Sequence, residues 1–481
     1  MMQLQCDLLI VGAGPAGMSA AIEARAAGLN VAIADEGEAP GGQIYRNAAQ
    51  SPLADARVLG DDYLAGRALI ERFSGCGATY LARSVVWQIA HENRQVIAML
   101  TRRPHDATGG TLEVAARAVL IATGAQERPW PVRGWTLPGV MGVGAAQTLL
   151  KSSGLAPAQD AVLAGSGPLL WLFASQLLAA GRRVRAIIDT TPRHAWRAAL
   201  PHALPALAGA DYLLKGWRML RAVKRSGIPV YRGASGLGIE GDARAERVGF
   251  VDASGARQVI DTSLVLLHQG VIPSTQLPRS LGCEHEWDAS SACWRPRTDA
   301  RGRSSIPQVW IAGDGAGIGG AKAATLAGTL AALDIARELG ARDAALHDTR
   351  RAPAERALTR HLAVRPLLDA LYTPPVALRR PDDDVIVCRC EEVSAGEIRR
   401  IAALGCQGPN QMKAFSRCGM GPCQGRWCGT TVGELIAQMQ DRSVADVGYY
   451  RIRAPIKPVT VDEIADSITL DNDFERGEFP S

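Results

Sequence analysis

A chain of 481 residues is more than one hydrophobic core organises and implies about two to four domains. With 47% hydrophobic and 21% charged residues it is neither disordered nor fibrous. The formal charge of +5 is dispersed, with no run of five or more basic residues, which excludes a nucleic-acid footprint. The N-terminus lacks the basic segment of a secretory signal, so the chain reads as cytoplasmic. Residues 161–181 are uncharged and long enough to cross a bilayer, yet GSGP interrupts them, and strand, turn and buried helix account for them better. The reading is therefore of a chain with no transmembrane segment.

In chain order, Leu8–Val11 is an apolar strand running into GAGPAG, in which Gly12, Gly14 and Gly17 stand with Pro15 and Ala16 between them. A helical stretch follows, then a second strand ending at Asp35. Strand, glycine turn, helix, strand and acid in this order form a dinucleotide-binding fingerprint. Gly12 permits the tight turn, Gly14 lets the backbone approach a pyrophosphate, and Gly17 lets helix and strand pack closely. The helix N-terminus offers N–H groups to the phosphates. Asp35 is the expected ribose acceptor and its neighbour Glu36 the rival for that role. An apolar strand later closes on Thr123-Gly124.

The plan then repeats. Ala161–Ala164 is a strand, Gly165 and Gly167 form a second glycine turn, a helix follows, and a further strand ends at Asp189. LVLLHQGVIP closes the unit at Gly270. Leu170 replaces the third glycine, so NAD(P), ATP and no ligand all stay open at this site. Arg182, Arg183 and Arg185 are candidate phosphate receivers. His268 reads as a packed or capping residue. A third glycine-rich turn, with Gly313 and Asp314 at a strand end, opens another helix; its acid either holds a hydroxylated ligand or caps the helix.

Residues 336–380 read as a helical linker, and six of the ten cysteines crowd into 388–428. Without an export signal, such crowding argues for a metal site over disulfides. A strand is expected to deliver Cys388 and Cys390, a helix to end at Cys418, and Cys423 to start a further helix. The pattern is C-x-C, 27 residues, then C-x4-C. Four converging thiolates need a cation, and zinc and an iron–sulfur cluster are the candidates. Zinc sites favour C-x2-4-C pairs, often with histidine, and 381–440 contains no histidine. Cys406 and Cys428 read as small buried cysteines. Arg389, Lys413, Arg417 and Arg426 surround the module, either to offset cluster charge or as a docking rim.

These motifs resemble the two-dinucleotide-binding-domain flavoproteins, the broad family of thioredoxin reductases. The resemblance implies FAD held by Gly12, Gly14, Gly17, Asp35, Gly124 and Asp314, with Gly42, Gln43 and Arg46 of GGQIYR passing near the isoalloxazine. No CxxC stands in the first 380 residues, which excludes disulfide reduction. PGGQIYR, ATGAQERPWPVRGWTLPGVMGVGAAQTLLK, LLHQGVIPSTQL, CRCEEV and RCGMGPCQGRWCG carry a closer resemblance. It is to the FAD-containing A subunit of octopine and nopaline oxidases and the B subunit of hydrogen cyanide synthase. The α-subunits of heteromeric proline or hydroxyproline dehydrogenases and of sarcosine oxidase are related. The cysteine segment is similar to the bacterioferritin-associated-ferredoxin type, which implies a [2Fe–2S] cluster on Cys388, Cys390, Cys418 and Cys423, although the second pair is wider than the usual C-x2-C.

The expected architecture is thus α/β. It comprises an FAD-binding domain in two parts (1–130 and 271–335), an inserted second dinucleotide-binding domain (131–270), the linker (336–380), a [2Fe–2S] module (381–440) and a tail (441–481). The resemblance implies an electron-relay subunit of a multi-subunit dehydrogenase acting on an opine, imino acid or other amino-acid-like amine. A separate FAD-bearing subunit would oxidise the substrate, a small third subunit and FMN at a subunit interface are further candidates, and membrane association would come through the complex. No Ser/His/Asp or Cys/His constellation stands out, so no catalytic residue is assigned. The alternatives are a stand-alone NAD(P)H:acceptor reductase and a structural zinc-binding assembly subunit.

Overall fold

An unbroken apolar run such as Leu8–Val11 must be covered on both faces, which a parallel sheet flanked by other layers provides. In the computed structural model, which describes residues 2–466 except 54, 93–94, 104–108 and 342–343, this run is the buried end of β1 (Met2–Val11). Helix α1 (Pro15–Ala26) leads to β2 (Val31–Ala34) and then β3 (Thr79–Leu81), giving the parallel order β3-β2-β1. A meander of β4 (Ser84–Glu92), β5 (Gln95–Arg102) and β6 (Gly110–Ile121) continues the sheet, with β6 parallel to β1.

Short β7 (Ala125–Glu127) and β8 (Val140–Gly142) precede α2 (Val143–Ser153). The second glycine turn then joins β9 (Ala161–Ser166) to α3 (Pro168–Ala179) and β10 (Val184–Asp189). Helical turns over 195–209 and α4 (Ala210–Arg225) cross to β11 (Val230–Arg232). An antiparallel trio of β12 (Ser235–Glu240), β13 (Arg247–Val251) and β14 (Arg257–Asp261) precedes β15 (Val265–Gln269). The second sheet has the order β11-β10-β9-β15-β8.

The chain returns through β16 (Val271–Pro273), which pairs with β7, and the hairpin of β17 (His285–Asp288) and β18 (Cys293–Pro296). It then reaches β19 (Val309–Ile311), which pairs with β6 of the first sheet. Helix α5 (Ala321–Glu338) packs along α1, because Gly328 admits the α1 backbone at Ala16. Helices α6 (Ala344–Leu362) and α7 (Arg365–Tyr372) occupy the stretch read as a linker.

The cysteine module contains β20 (Ile386–Cys388) paired with β21 (Val393–Ser394). Helices α8 (Ala395–Ala403), α9 (Pro409–Ser416) and α10 (Gly429–Gln440) complete it. Its apolar side chains, including Val387, Ile398, Val432 and Leu435, share one core with Leu9, Val11, Ile121 and Val309 of the first sheet. Among the described residues no helix is long and apolar enough to cross a membrane. Of the expected tail, residues 467–481 lie outside the described residues.

Candidate functional site

The first glycine turn is shaped for close approach. A Cβ on Gly17 would collide with the carbonyl oxygen of Gly12, so α1 can lie against β1 only without a side chain there. Gly14 instead faces the Cα of Gly42, and the Gly41 N–H donates to the Ala13 carbonyl at 2.8 Å, so GGQIYR is folded over the turn. Helix α1 starts with Pro15 and has no acid in its own first turn. The Arg46 Nε and Thr123 Oγ1 atoms are buried without a hydrogen-bond partner. Lys151 of α2 is buried and donates to the Gln43 carbonyl at 3.1 Å; burial pushes its ammonium down to about 8, with Arg46 adding to the effect. Orphaned donors and an unbalanced cation around a cleared glycine turn fit an anionic, hydroxylated ligand such as FAD.

The two acids beside this turn have separate partners. The carboxylate of Asp35 accepts from Ala13 N at 2.6 Å and Gly37 N at 2.7 Å, and burial raises its pKa against those bonds. Glu36 faces outward to Lys457 at 2.8 Å. At the far end, Asp314 Oδ1 accepts from Gly319 N and Gly320 N at 2.9 and 2.8 Å, capping the entry to α5. Among the described residues Oδ2 takes no bond, so capping leaves one oxygen for a ligand. A cavity of about 440 Å³ opens beside Gly313 and Asp314 and is lined also by Arg295, Arg301 and Arg365.

The second turn is packed more closely by its own neighbours, though Gln269 Oε1 is buried there without a partner. A Cβ on Gly165 would collide with the His268 carbonyl oxygen, so this glycine serves the contact of β9 with β15. The buried His268 ring lies against Gly167, and its Nδ1 is 2.6 Å from Glu127 Oε1. Asp189 caps Thr191 N at 3.0 Å, and the Gln269 amide donates to Thr190 at 2.8 Å. The expected phosphate role of Arg182, Arg183 and Arg185 is corrected here. They flank the start of β10, beside Ala161, whereas Gly165 pairs with Asp189 at its end. Five residues of strand separate the two edges by roughly 15 Å.

In the cysteine module, β20 and its turn deliver Cys388 buried and Cys390 exposed. The sulfurs of Cys388, Cys418 and Cys428 all lie within 4.8 Å of one another. Hydrogen bonding from Cys418, then Cys428, holds the Cys388 thiol far below its usual range, and the same sharing raises the other two. Cys390 pairs with the half-buried Cys423. The thiols thus form two tiers, a buried group of Cys388, Cys418 and Cys428 and an outer pair of Cys390 and Cys423, so the four expected ligands do not make one group and Cys428 takes a place in it that the spacing did not give it. Cys406 is buried elsewhere, against Gly408 O.

Cys423 does not start a helix. Gln424 and Gly425 have φ of 49° and 80°, which breaks the chain, and α10 begins only after Cys428. The buried Tyr450 ring is held between Gly419 and Gly425, and its hydroxyl donates to the Cys418 carbonyl at 3.0 Å. The four expected basic neighbours are all engaged. Arg417 meets Glu391 at 2.9 Å, Arg426 donates to Ile456 O, Lys413 lies 4.8 Å from the Tyr450 ring centre, and Arg389 stacks over Trp135. Gln126 and Gln276 donate to the carbonyls of Arg426 and Gln424, at 2.9 and 3.0 Å, and join the thiol loop to the flavin-type fold.

The pyridine nucleotide-disulphide oxidoreductase family matches residues 6–328, and the sarcosine oxidase A3 domain matches 385–467. The chain is 44% identical to the A subunit of opine oxidase from Rhizobium meliloti (strain 1021), over 96% of this chain and 99% of that one. It is 34% identical to the HcnB subunit of hydrogen cyanide synthase from Pseudomonas aeruginosa, over 94% and 96% of the two chains. L-proline dehydrogenase from P. horikoshii shares the fold, with a TM-score of 0.68 at 18% identity, covering 96% of this chain and 80% of that one. The chain belongs to the pyridine nucleotide-disulphide oxidoreductase family, in the group of HcnB and the A subunit of opine oxidase, and is an FAD-dependent oxidoreductase.

Proposed function

We propose that this chain is the electron-relay subunit of a multi-subunit dehydrogenase that oxidises an opine, imino acid or other amino-acid-like amine. The observation that carries the reading is the two-tier thiol group joined to a flavin-type fold through Gln126 and Gln276. Relatives named as subunits of amine oxidases support the heteromeric part. In this reading a separate flavin subunit oxidises the substrate, and this chain carries the electrons onward.

FAD takes electrons in pairs and releases them singly, as a one-electron iron–sulfur centre requires. The chain's own residues divide the remaining work. The N-terminus of α1 with Gly12, Gly14 and Gly17 faces the pyrophosphate, and Arg46 and Thr123 offer their free donors. Asp35 takes the ribose, and the open oxygen of Asp314 takes the ribityl chain. Lys151 and Arg46 supply positive charge next to Gln43. Cys388 and Cys418, buried, and Cys390 and Cys423, nearer the surface, would hold a [2Fe–2S] cluster, which would supply a one-electron centre. Tyr450 fixes the Cys418 backbone and keeps water from the buried tier.

Cys418→Ser tests the reading in the purified chain. Iron and acid-labile sulfide near two each per wild-type chain are expected. The variant should lose both, with the visible cluster absorbance, and keep its flavin. A wild-type chain that carries zinc, or no sulfide, would overturn the relay and favour the assembly role.

A further inference from the structure

Five thiols converge in the cysteine module, one more than a four-thiolate centre uses. The outer pair, Cys390 and Cys423, supplies two. The buried tier offers three, Cys388, Cys418 and Cys428, with their sulfurs within 4.8 Å of one another. One buried thiol is therefore surplus. With Cys388 and Cys418 as ligands the surplus group is Cys428, which has no metal position of its own and remains an S–H group.

The destinations open to its hydrogen are few. Cys428 is 1% exposed, and it stands at the N-cap of α10 without a side-chain bond to that helix. Its polar neighbours are Cys388 and Cys418, with which it shares hydrogen bonds, and the Tyr450 hydroxyl at 3.9 Å. That hydroxyl donates to the Cys418 carbonyl at 3.0 Å and lies 3.5 Å from Cys418 Sγ, so it closes the same pocket. A thiolate is a stronger acceptor than a phenol oxygen, which directs the Cys428 hydrogen to the ligand sulfurs. Hydrogen bonds to the sulfurs are one of the levers that set the potential of an iron–sulfur centre. Reduction adds negative charge, which tightens such a bond, so a buried donor favours the reduced state.

We propose that Cys428 is a positioning residue of the electron-carrying centre: it donates its S–H to the sulfurs of Cys388 and Cys418 and raises the reduction potential there, without ligating metal. The inference rests on the electron-relay reading.

Potentiometric titration of the purified full chain tests it, followed by the paramagnetic resonance signal of the reduced centre and paired with iron and sulfide analysis. Cys428→Ala is expected to keep iron and sulfide at wild-type content and to lower the midpoint. Loss of one hydrogen bond to a charged acceptor is worth about tenfold in the ratio of reduced to oxidised centre, or about 59 mV for one electron. Cys428→Ser keeps a donor and should restore most of that shift. An unchanged midpoint in Cys428→Ala would overturn the proposal. So would loss of iron and sulfide in that variant, because Cys428 would then be a ligand. A serine variant that shifts as far as the alanine one would also overturn it, by tracing the effect to packing. A wild-type chain without iron and sulfide would show a different failure, that of the relay reading itself, and this inference would fall with it.

Discussion

The two glycine turns begin from the same strand–turn–helix plan and end in opposite chemical states. At the first, Gly17 lets α1 approach, and Arg46 Nε and Thr123 Oγ1 are buried without partners. At the second, Leu170 replaces the third glycine, the His268 ring occupies the space against Gly167, and Glu127 and Thr191 take up the polar groups of His268 and Asp189. The buried polar atoms left without partners differ in kind: donors at the first turn, Arg46 Nε and Thr123 Oγ1, and an acceptor at the second, Gln269 Oε1, and only the donors suit a phosphate. A retained strand order by itself says little about a ligand.

The largest effect that would break this contrast is expected at Gly17. Gly17→Ala forces a methyl into the Gly12 carbonyl, and overpacking of this kind costs about 3 kcal/mol. The purified variant should lose its flavin absorbance and unfold at lower denaturant; a variant that keeps both would deny the turn its special geometry. Lys151 offers a similar effect of opposite sign. Its ammonium is pushed down from 10.5 to about 8, so below pH 8 the folded chain bears the full penalty of a buried charge. Between pH 8 and 10.5 the unfolded chain binds more protons, so stability rises with pH there, by about 3 kcal/mol. Lys151→Met should remove that rise and stabilise the flavin-free chain at pH 7, measured by urea midpoints across the range. The smallest response is expected from NADH or NADPH added anaerobically to the isolated chain. The His268 ring against Gly167 and the missing third glycine at Leu170 predict that the flavin band stays oxidised until dithionite is added. Rapid bleaching would dissolve the contrast and support the stand-alone reductase.

Much of this was legible in the residues because backbone geometry and periodicity are local. Gly12, Gly14, Gly17 and the apolar run before them specify a strand, a turn and a helix with little need of the remaining chain. The misplacement of Arg182, Arg183 and Arg185 has the opposite origin. Sequence proximity to a fingerprint does not say which edge of the sheet a residue joins, and β10 starts at the wrong one. The start of α10 was hidden because Gln424 adopts a left-handed conformation under tertiary constraint. Cys428 was read as a spare buried thiol; it is buried, but its place beside Cys388 and Cys418 depends on how three segments converge.

The common core of the cysteine module and the first sheet has a mechanical consequence. Leu9, Val11, Ile121 and Val309 are covered on that side by Val387, Ile398, Val432 and Leu435. A chain cut before residue 381 would expose this sheet face to water and tend to aggregate. The module is therefore a structural cover as well as a thiol carrier, and the two halves should melt in one cooperative transition. Damage to the thiols by oxidation would then travel as lost stability into the nucleotide fold beneath.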